Sequence, residues 1–191
     1  AIKTDGTLWS WGWNDNGSNS GHLGQNNKTN YSSPRQVGSE TTWSNVTAHD
    51  DCVLASKTDG TLWSWGTNGQ AALGINQPVN SHRSSPTQIP GTTWSSSHSQ
   101  CGGYAFAIKT DGTLWSWGYN SLGQLGLSGS PDPSSNNSTE SSPKQIPGTT
   151  WNAVAGRSRG AFATKTDGTL WSWGSGAHGY MGQNNTTQYS S

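Results

Sequence analysis

Large apolar side chains alternate with small or polar ones in short runs along this chain, and the runs recur. Tyr104-Ala105-Phe106-Ala107-Ile108-Lys109 leads into Thr110-Asp111-Gly112, and Thr113-Leu114-Trp115-Ser116-Trp117 follows. Asp-Gly between two such runs signals a hairpin, because the turn needs positive φ, which Gly and Asp tolerate. The pattern predicts an incoming strand over 104–109 and an outgoing strand over 113–117. Trp115 and Trp117 are two positions apart and share one face, while Leu114 and Ser116 take the other. Apolar or small groups on both faces suit a sheet that is covered on both sides. No window carries sustained helical periodicity.

The same unit occurs four times. Lys-Thr-Asp-Gly-Thr-Leu-Trp-Ser-Trp-Gly runs without a substitution from Lys3, Lys57, Lys109 and Lys165, at spacings of 54, 52 and 56 residues. It places hairpin turns at Asp5-Gly6, Asp59-Gly60, Asp111-Gly112 and Asp167-Gly168. It places Trp pairs at Trp9/Trp11, Trp63/Trp65, Trp115/Trp117 and Trp171/Trp173, which are expected to form the core where unit packs on unit. Leu-Gly or Met-Gly follows each copy, then Ser-Ser-Pro-x-Gln, then Thr-Thr-Trp, with Gly and Pro marking breaks between short strands. A small sheet of this kind cannot bury its Trp face alone, but stacked neighbours can. A period of this length with several strands fits a propeller blade. The reading is all-β: β-propeller blades of four-stranded antiparallel sheet, about 3.6 repeats, with blades near 1–46, 47–98, 99–154 and 155–191. Both ends interrupt a repeat, as expected of a segment of a longer parent chain.

The decapeptide followed by Tyr119-Asn120-Ser121-Leu122-Gly123-Gln124-Leu125-Gly126 closely resembles the repeat of the regulator of chromosome condensation family. That repeat has an Asp-Gly turn, a Trp-Gly pair, then Asn-x-x-Gly-Gln-Leu-Gly. The resemblance covers essentially the whole chain and implies a ring of roughly seven blades, of which this chain would supply about half. It suggests a bacterial or viral-type surface member. Many family repeats carry Ala-Gly-x-x-His before the inner hairpin. Here only Ala155-Gly156 is kept, and Asp51, Gly103 and Arg159 hold the His position, so the family's ligand contacts do not carry over.

Composition narrows the function classes. The 191 residues are only 28% hydrophobic and include 26 Gly, which alone would suit a disordered polar chain, but 12 Trp at fixed places argue for folded units. Ten basic and ten acidic residues balance, which is thin for a nucleic-acid surface or a polybasic membrane patch. No run of apolar residues is long enough to span a bilayer. The Lys/Asp pairs flanking each turn are read as turn chemistry, with Asp accepting backbone hydrogen bonds and Lys as a solvated charge at the strand end.

No constellation for catalysis stands out: neither Gly-x-Ser-x-Gly, nor a phosphate loop, nor paired Glu is present. The five histidines (His22, His49, His82, His98 and His178) show no metal-ligand spacing, so no catalytic residue, metal or cofactor is expected. Cys52 and Cys101 lie in successive blades at unmatched offsets and are read as two buried thiols. Trp13 and Tyr119 sit just past the Trp-Gly pair in equivalent loops, with Thr67 and Ser175 at that place in the other units. With His22 and His178 they are the candidate ligand-binding loop residues. Asn27, Asn30, Asn45, Asn137 and Asn185 open glycosylation triplets. Leu127 to Ser142, rich in Ser, Pro and Asn, is expected to be a mobile surface loop.

The expectation is a non-enzymatic scaffold on an extracellular, cell or virion surface, binding a protein or glycan through its loops. One alternative follows the resemblance: an intracellular guanine-nucleotide exchange or chromatin-binding propeller, in cytoplasm or nucleus. Excluding the turn Lys/Asp pairs, six basic and six acidic residues remain for either role. Another alternative is a sugar-binding lectin. Open edges lined with Trp are expected to be closed by further blades of the same chain or by self-association.

Overall fold

The computed structural model describes residues 1–14, 21–49, 51–127, 139–157, 159–179, 181–185 and 187; of Gln100, Cys101 and His178 only the backbone is described. Thirteen strands form four antiparallel sheets. The first holds β1 (Trp9–Gly12) and β2 (Tyr31–Gln36), with an isolated bridge between Ile2 and Leu8. The second orders β3 (Trp43–His49), β4 (Cys52–Lys57), β5 (Leu62–Gly66) and β6 (Arg83–Gln88). The third orders β7 (Trp94–Cys101), β8 (Tyr104–Lys109), β9 (Leu114–Tyr119) and β10 (Thr139–Ile146). The fourth holds β11 (Trp151–Arg157), β12 (Gly160–Lys165) and β13 (Leu170–Gly174), followed by the 3-10 turn Ala177–Gly179. No helix among the described residues is long and apolar enough to cross a membrane.

Register repeats with sequence. Leu54 pairs with Ser64, Phe106 with Ser116 and Phe162 with Ser172 across the central hairpins. β7 packs against both β3 and β11, so the first strand of each sheet lies where neighbouring sheets converge. The sheets begin at Trp43, Trp94 and Trp151, and boundaries at 46/47, 98/99 and 154/155 would cut β3, β7 and β11 in two. The blades therefore start at the Thr-Thr-Trp elements. Gly91 and Thr93, and again Gly148 and Thr150, take positive φ and turn the chain just before each Trp.

The turn chemistry forms a three-residue relay repeated in all four units. Trp63 Nε1 donates to Thr61 Oγ1 (2.8 Å), and Thr61 donates from Oγ1 (2.6 Å) and its backbone N–H (2.9 Å) to Asp59 Oδ1. Trp9-Thr7-Asp5, Trp115-Thr113-Asp111 and Trp171-Thr169-Asp167 repeat it. The hydrogen bonds from Thr hold each of these carboxyls below its ordinary pKa.

The lysines differ from expectation. Lys57 is buried, its ammonium 3.8 Å from the Trp63 ring and 4.7 Å from that of Trp43. Lys109 covers Trp94 and Trp115, and Lys165 covers Trp151 and Trp171, in the same way. The long stem reaches an aromatic face supplied by the Trp that opens the sheet, where the charge meets the negative face of the ring.

The second, third and fourth sheets each gather a Trp cluster with T-shaped contacts: Trp43 on Trp63 and Trp65, Trp94 on Trp115 and Trp117, Trp151 on Trp171 and Trp173. Such pairs add about 0.5–1.5 kcal/mol each beyond the area they bury. Trp65, Trp117 and Trp173 are almost wholly buried. Each donates its indole N–H to the preceding blade, at the carbonyl of His22 (2.9 Å), Ala72 (2.9 Å) or Gln124 (3.0 Å), with Gly24, Gly74 or Gly126 under the ring. Trp11 and Trp171 are half exposed, which corrects their assignment to the core; each lies in a terminal sheet with fewer strands around it.

Candidate functional site

Antiparallel order puts two sets of loops on one rim: the turns between the first and second strands of each sheet, and the long loops between the third and fourth. The Asp-Gly turns occupy the opposite rim. The repeated polar residues of the long loops are engaged internally. Asn14, Asn68 and Asn120 each accept, through Oδ1, the backbone N–H of Leu23, Leu73 and Leu125 at 2.7, 3.1 and 3.0 Å. Ser10, Ser64, Ser116 and Ser172 donate to the carbonyls of Leu23, Leu73, Leu125 and Met181. These motif residues hold the loop to the sheet and present nothing to a ligand.

What remains is specific to single blades. A groove of about 450 Å³ on this rim is lined by His49, Gln70, Gly103, Tyr119, Leu122 and Arg159, contributed by three successive sheets. Its floor depends on Gly103, where an added Cβ would lie 1.7 Å from Gln70 Oε1. Tyr119 N–H donates to the Gly103 carbonyl at 2.9 Å, fixing that residue beside the turn. Gly102 N–H donates to His49 Nδ1 (3.1 Å), so that nitrogen is an acceptor. Tyr104 is buried and its hydroxyl donates to the carbonyls of Arg157 and Gly160 (3.0 Å to the latter). That anchors the next turn and keeps exposed Arg159 at the groove's edge. Ser175 N–H to the Arg159 carbonyl (2.8 Å) ties the turn from the other side.

Of the sequence candidates whose side chains are described, Tyr119 alone lines this groove. Trp13 is 69% exposed in the loop just past β1. His22 joins it there, with Nε2 at 2.5 Å from the Trp13 carbonyl. His178 falls in the 3-10 turn after β13, and its side chain lies outside the described residues. Asn45 donates to the Ser96 carbonyl (2.7 Å) between sheets, and the Asn30 side chain accepts from Asn14 N–H (2.8 Å). Asn137 and residues 128–138 of the long linker lie outside the described residues. Cys52 is buried and its sulfur donates to the Thr67 carbonyl at 2.9 Å, while the Cys101 side chain is not described. Among the described residues no group of three or more His, Cys, Asp or Glu is placed to hold a metal.

Sequence reading missed His49, Gln70, Leu122 and Arg159 as one site. The Gly102-Gly103 pair and the replaced His position of the family motif were the available signals. It also missed His98, which is wedged between the second and third sheets. There its Nδ1 lies 3.1 Å from Thr47 Oγ1 and its Nε2 3.3 Å from Ser56 Oγ. Burial lowers its pKa to about 4.

Four small antiparallel sheets packed face to face, converging on their first strands and carrying a loop-built rim, define a partial β-propeller. The chain belongs to the Regulator of chromosome condensation (RCC1) repeat family, whose repeat matches residues 59–107 and 111–162. It is 32% identical over 81 residues to the human probable E3 ubiquitin-protein ligase HERC3, covering 41% of this chain and 8% of HERC3. Yeast RCC1 (Prp20), solved bound to Kap60, has a similar fold, with a TM-score of 0.77 and 19% identity over 99% of this chain and 44% of that one. Prp20p from Saccharomyces cerevisiae, described with its binding to Gsp1p and histones, gives the same TM-score over 98% and 45%. Human WBSCR16 gives 0.75 at 18% identity over 91% and 44%. The chain thus spans less than half the length of these relatives.

Proposed function

We propose that this chain is a non-enzymatic binding module whose partner is a protein, docked on the rim groove shared by the second, third and fourth blades. The observation that supports this is the groove's lining. An aromatic ring, an aliphatic side chain, an Arg and an amide converge there, and none is required by the repeat. Of these, Tyr and Arg are residue types that carry much of the energy of protein interfaces when a partner covers them. Yeast relatives described with Kap60, Gsp1p and histones support a protein partner ahead of a glycan. They also favour an intracellular exchange-type or chromatin-type role over a platform on an extracellular, cell or virion surface, for which only the uncharged polar loops speak. With balanced charge, histone or nucleic-acid binding would proceed without a strong guiding field.

The test is a titration of the chain with a purified small GTPase, with core histones and against a glycan array. Saturable binding to one of the proteins, lost in Tyr119→Ala and Arg159→Ala, is the expected result. Glycan binding alone, or protein binding indifferent to both substitutions, overturns the reading.

A further inference from the structure

The Lys–Trp stacks of the second, third and fourth sheets differ in what lies beside the ammonium. In the second, Glu40 stands three residues before the Trp that opens the sheet and puts Oε2 2.5 Å from Lys57 Nζ. Gly91 and Gly148 hold that place before Trp94 and Trp151. Their loops, counted from Ile89 and Ile146, are one residue shorter than the loop from Val37 to Trp43. Among the described residues, neither Lys109 nor Lys165 has a carboxylate within 4.0 Å.

Two donors converge on each of these glycines. The point a Cβ would take on Gly91 lies 3.6 Å from Trp94 Nε1 and 3.8 Å from Lys109 Nζ; on Gly148 it lies 3.7 Å from both Trp151 Nε1 and Lys165 Nζ. Both glycines are exposed, so both points open to the surface. Trp94 and Trp151 are buried, and among the described residues nothing accepts from their indole N–H groups. A buried donor without an acceptor costs about 1–3 kcal/mol. The turn carboxylates do not serve, since Asp111 Oδ1 accepts from Thr113 and Asp167 Oδ1 from Thr169. In the second sheet Glu40 reaches the lysine and leaves Trp43 Nε1 without an acceptor as well. Lys57 beside Glu40 is buried, whereas Lys109 and Lys165 are half-buried.

We propose that the cradle at Gly91, repeated at Gly148, binds a carboxylate, the side chain of a Glu or Asp on an acidic segment of a partner protein. One oxygen pairs with Lys109 as Glu40 does with Lys57, and the other accepts from Trp94 Nε1. The charge-assisted bond and the satisfied indole both favour a carboxylate over a neutral group. Gly91 leaves the place open because it brings no side chain of its own. The cradle lies on the rim of the Asp-Gly turns, where Trp94 N–H donates to the Gly60 carbonyl and Thr110 N–H to the Thr93 carbonyl. That rim is opposite the groove of Tyr119 and Arg159, so the two sites stand or fall separately.

Titration of the isotopically labelled chain with hexaglutamate at constant ionic strength, followed through the indole N–H signals by NMR, tests it. The Trp94 and Trp151 signals are expected to shift saturably, and the Trp43 signal to stay, because Glu40 holds that place. Lys109→Gln keeps the stem over the rings and removes the charge. It should abolish the Trp94 shift and leave that of Trp151, which also shows the variant to be folded. Glu40→Ala should bring Trp43 into the response. Signals unmoved at millimolar peptide overturn the proposal, as does a Trp94 shift that survives Lys109→Gln or a Trp43 signal still indifferent in Glu40→Ala. Inorganic phosphate that moves the same signals as strongly as hexaglutamate overturns it too, since the cradle would then take any small anion.

Discussion

Lys57 stands over Trp63, its ammonium 3.8 Å from the ring centre, and Glu40 closes the other side at 2.5 Å. The lysine is 6% exposed, so its charge is shared between a carboxylate and two indole faces and has little water. Lys57→Ala is expected to cost about 2 kcal/mol, from the lost cation–π contacts and the lost packing of the stem. Lys3→Ala is the control: Lys3 is exposed over Trp9 alone, and its loss should stay within about 0.5 kcal/mol. Urea unfolding of both variants, read as shifts in midpoint at constant slope, separates the two.

Gly74 and Gly38 share nearly the same backbone, with φ of 65° and 64°. A Cβ on Gly74 would lie 2.6 Å from Trp117 Nε1, whereas one on Gly38 meets nothing within 4 Å. Gly38→Ala should cost about 1 kcal/mol for the left-handed backbone alone. Gly74→Ala should cost about 3 kcal/mol, because it also wedges the second and third blades apart. Thermal unfolding of the pair measures the joint separately from the backbone.

His98 makes stability depend on pH. Its pKa is about 4 in the folded chain against an ordinary 6.5, because burial disfavours the charged ring. The unfolded chain therefore takes up a proton first as pH falls. Stability from the neutral ring is whole above pH 6.5 and is lost progressively down to about 4, by up to roughly 3 kcal/mol. His98→Gln should flatten that window. The turn aspartates, whose pKa values are lowered, lose their contribution only below the ordinary carboxylate range, so the two effects separate along a pH series of unfolding curves.

Thr113→Val keeps shape but breaks the relay from Trp115 to Asp111. The loss of two hydrogen bonds at a partly exposed turn should cost about 1–2 kcal/mol. The Asp111 carboxyl, without its Thr hydroxyl donor, should titrate closer to its ordinary pKa, as carboxyl NMR shifts would show.

The hairpins, the Trp pairs and the repeat of small sheets were readable from sequence because they rest on contacts between residues two to six apart. Asp59, Gly60, Thr61 and Trp63 carry their own geometry. The lysines were misread as solvated because Trp43, which covers Lys57, lies fourteen positions earlier. Alternation says which face a residue takes and not what will meet it. The groove was hidden for a similar reason. His49, Gln70, Tyr119 and Arg159 come from three blades, and only the packing of sheets brings them together. His98 is likewise buried only because the second and third sheets close over it.

The Trp-on-Gly joint points one way along the chain: the later blade always supplies the indole and the earlier blade the cradle. A blade copied by gene duplication and inserted anywhere would bring both halves with it and find both complements waiting. The number of blades can therefore change in whole repeats without any compensating substitution, whereas an insertion of half a repeat would strand one tryptophan and one glycine. Such a direction suits growth by duplication, and it leaves rim loops like those holding Tyr119 and Arg159 free to diverge.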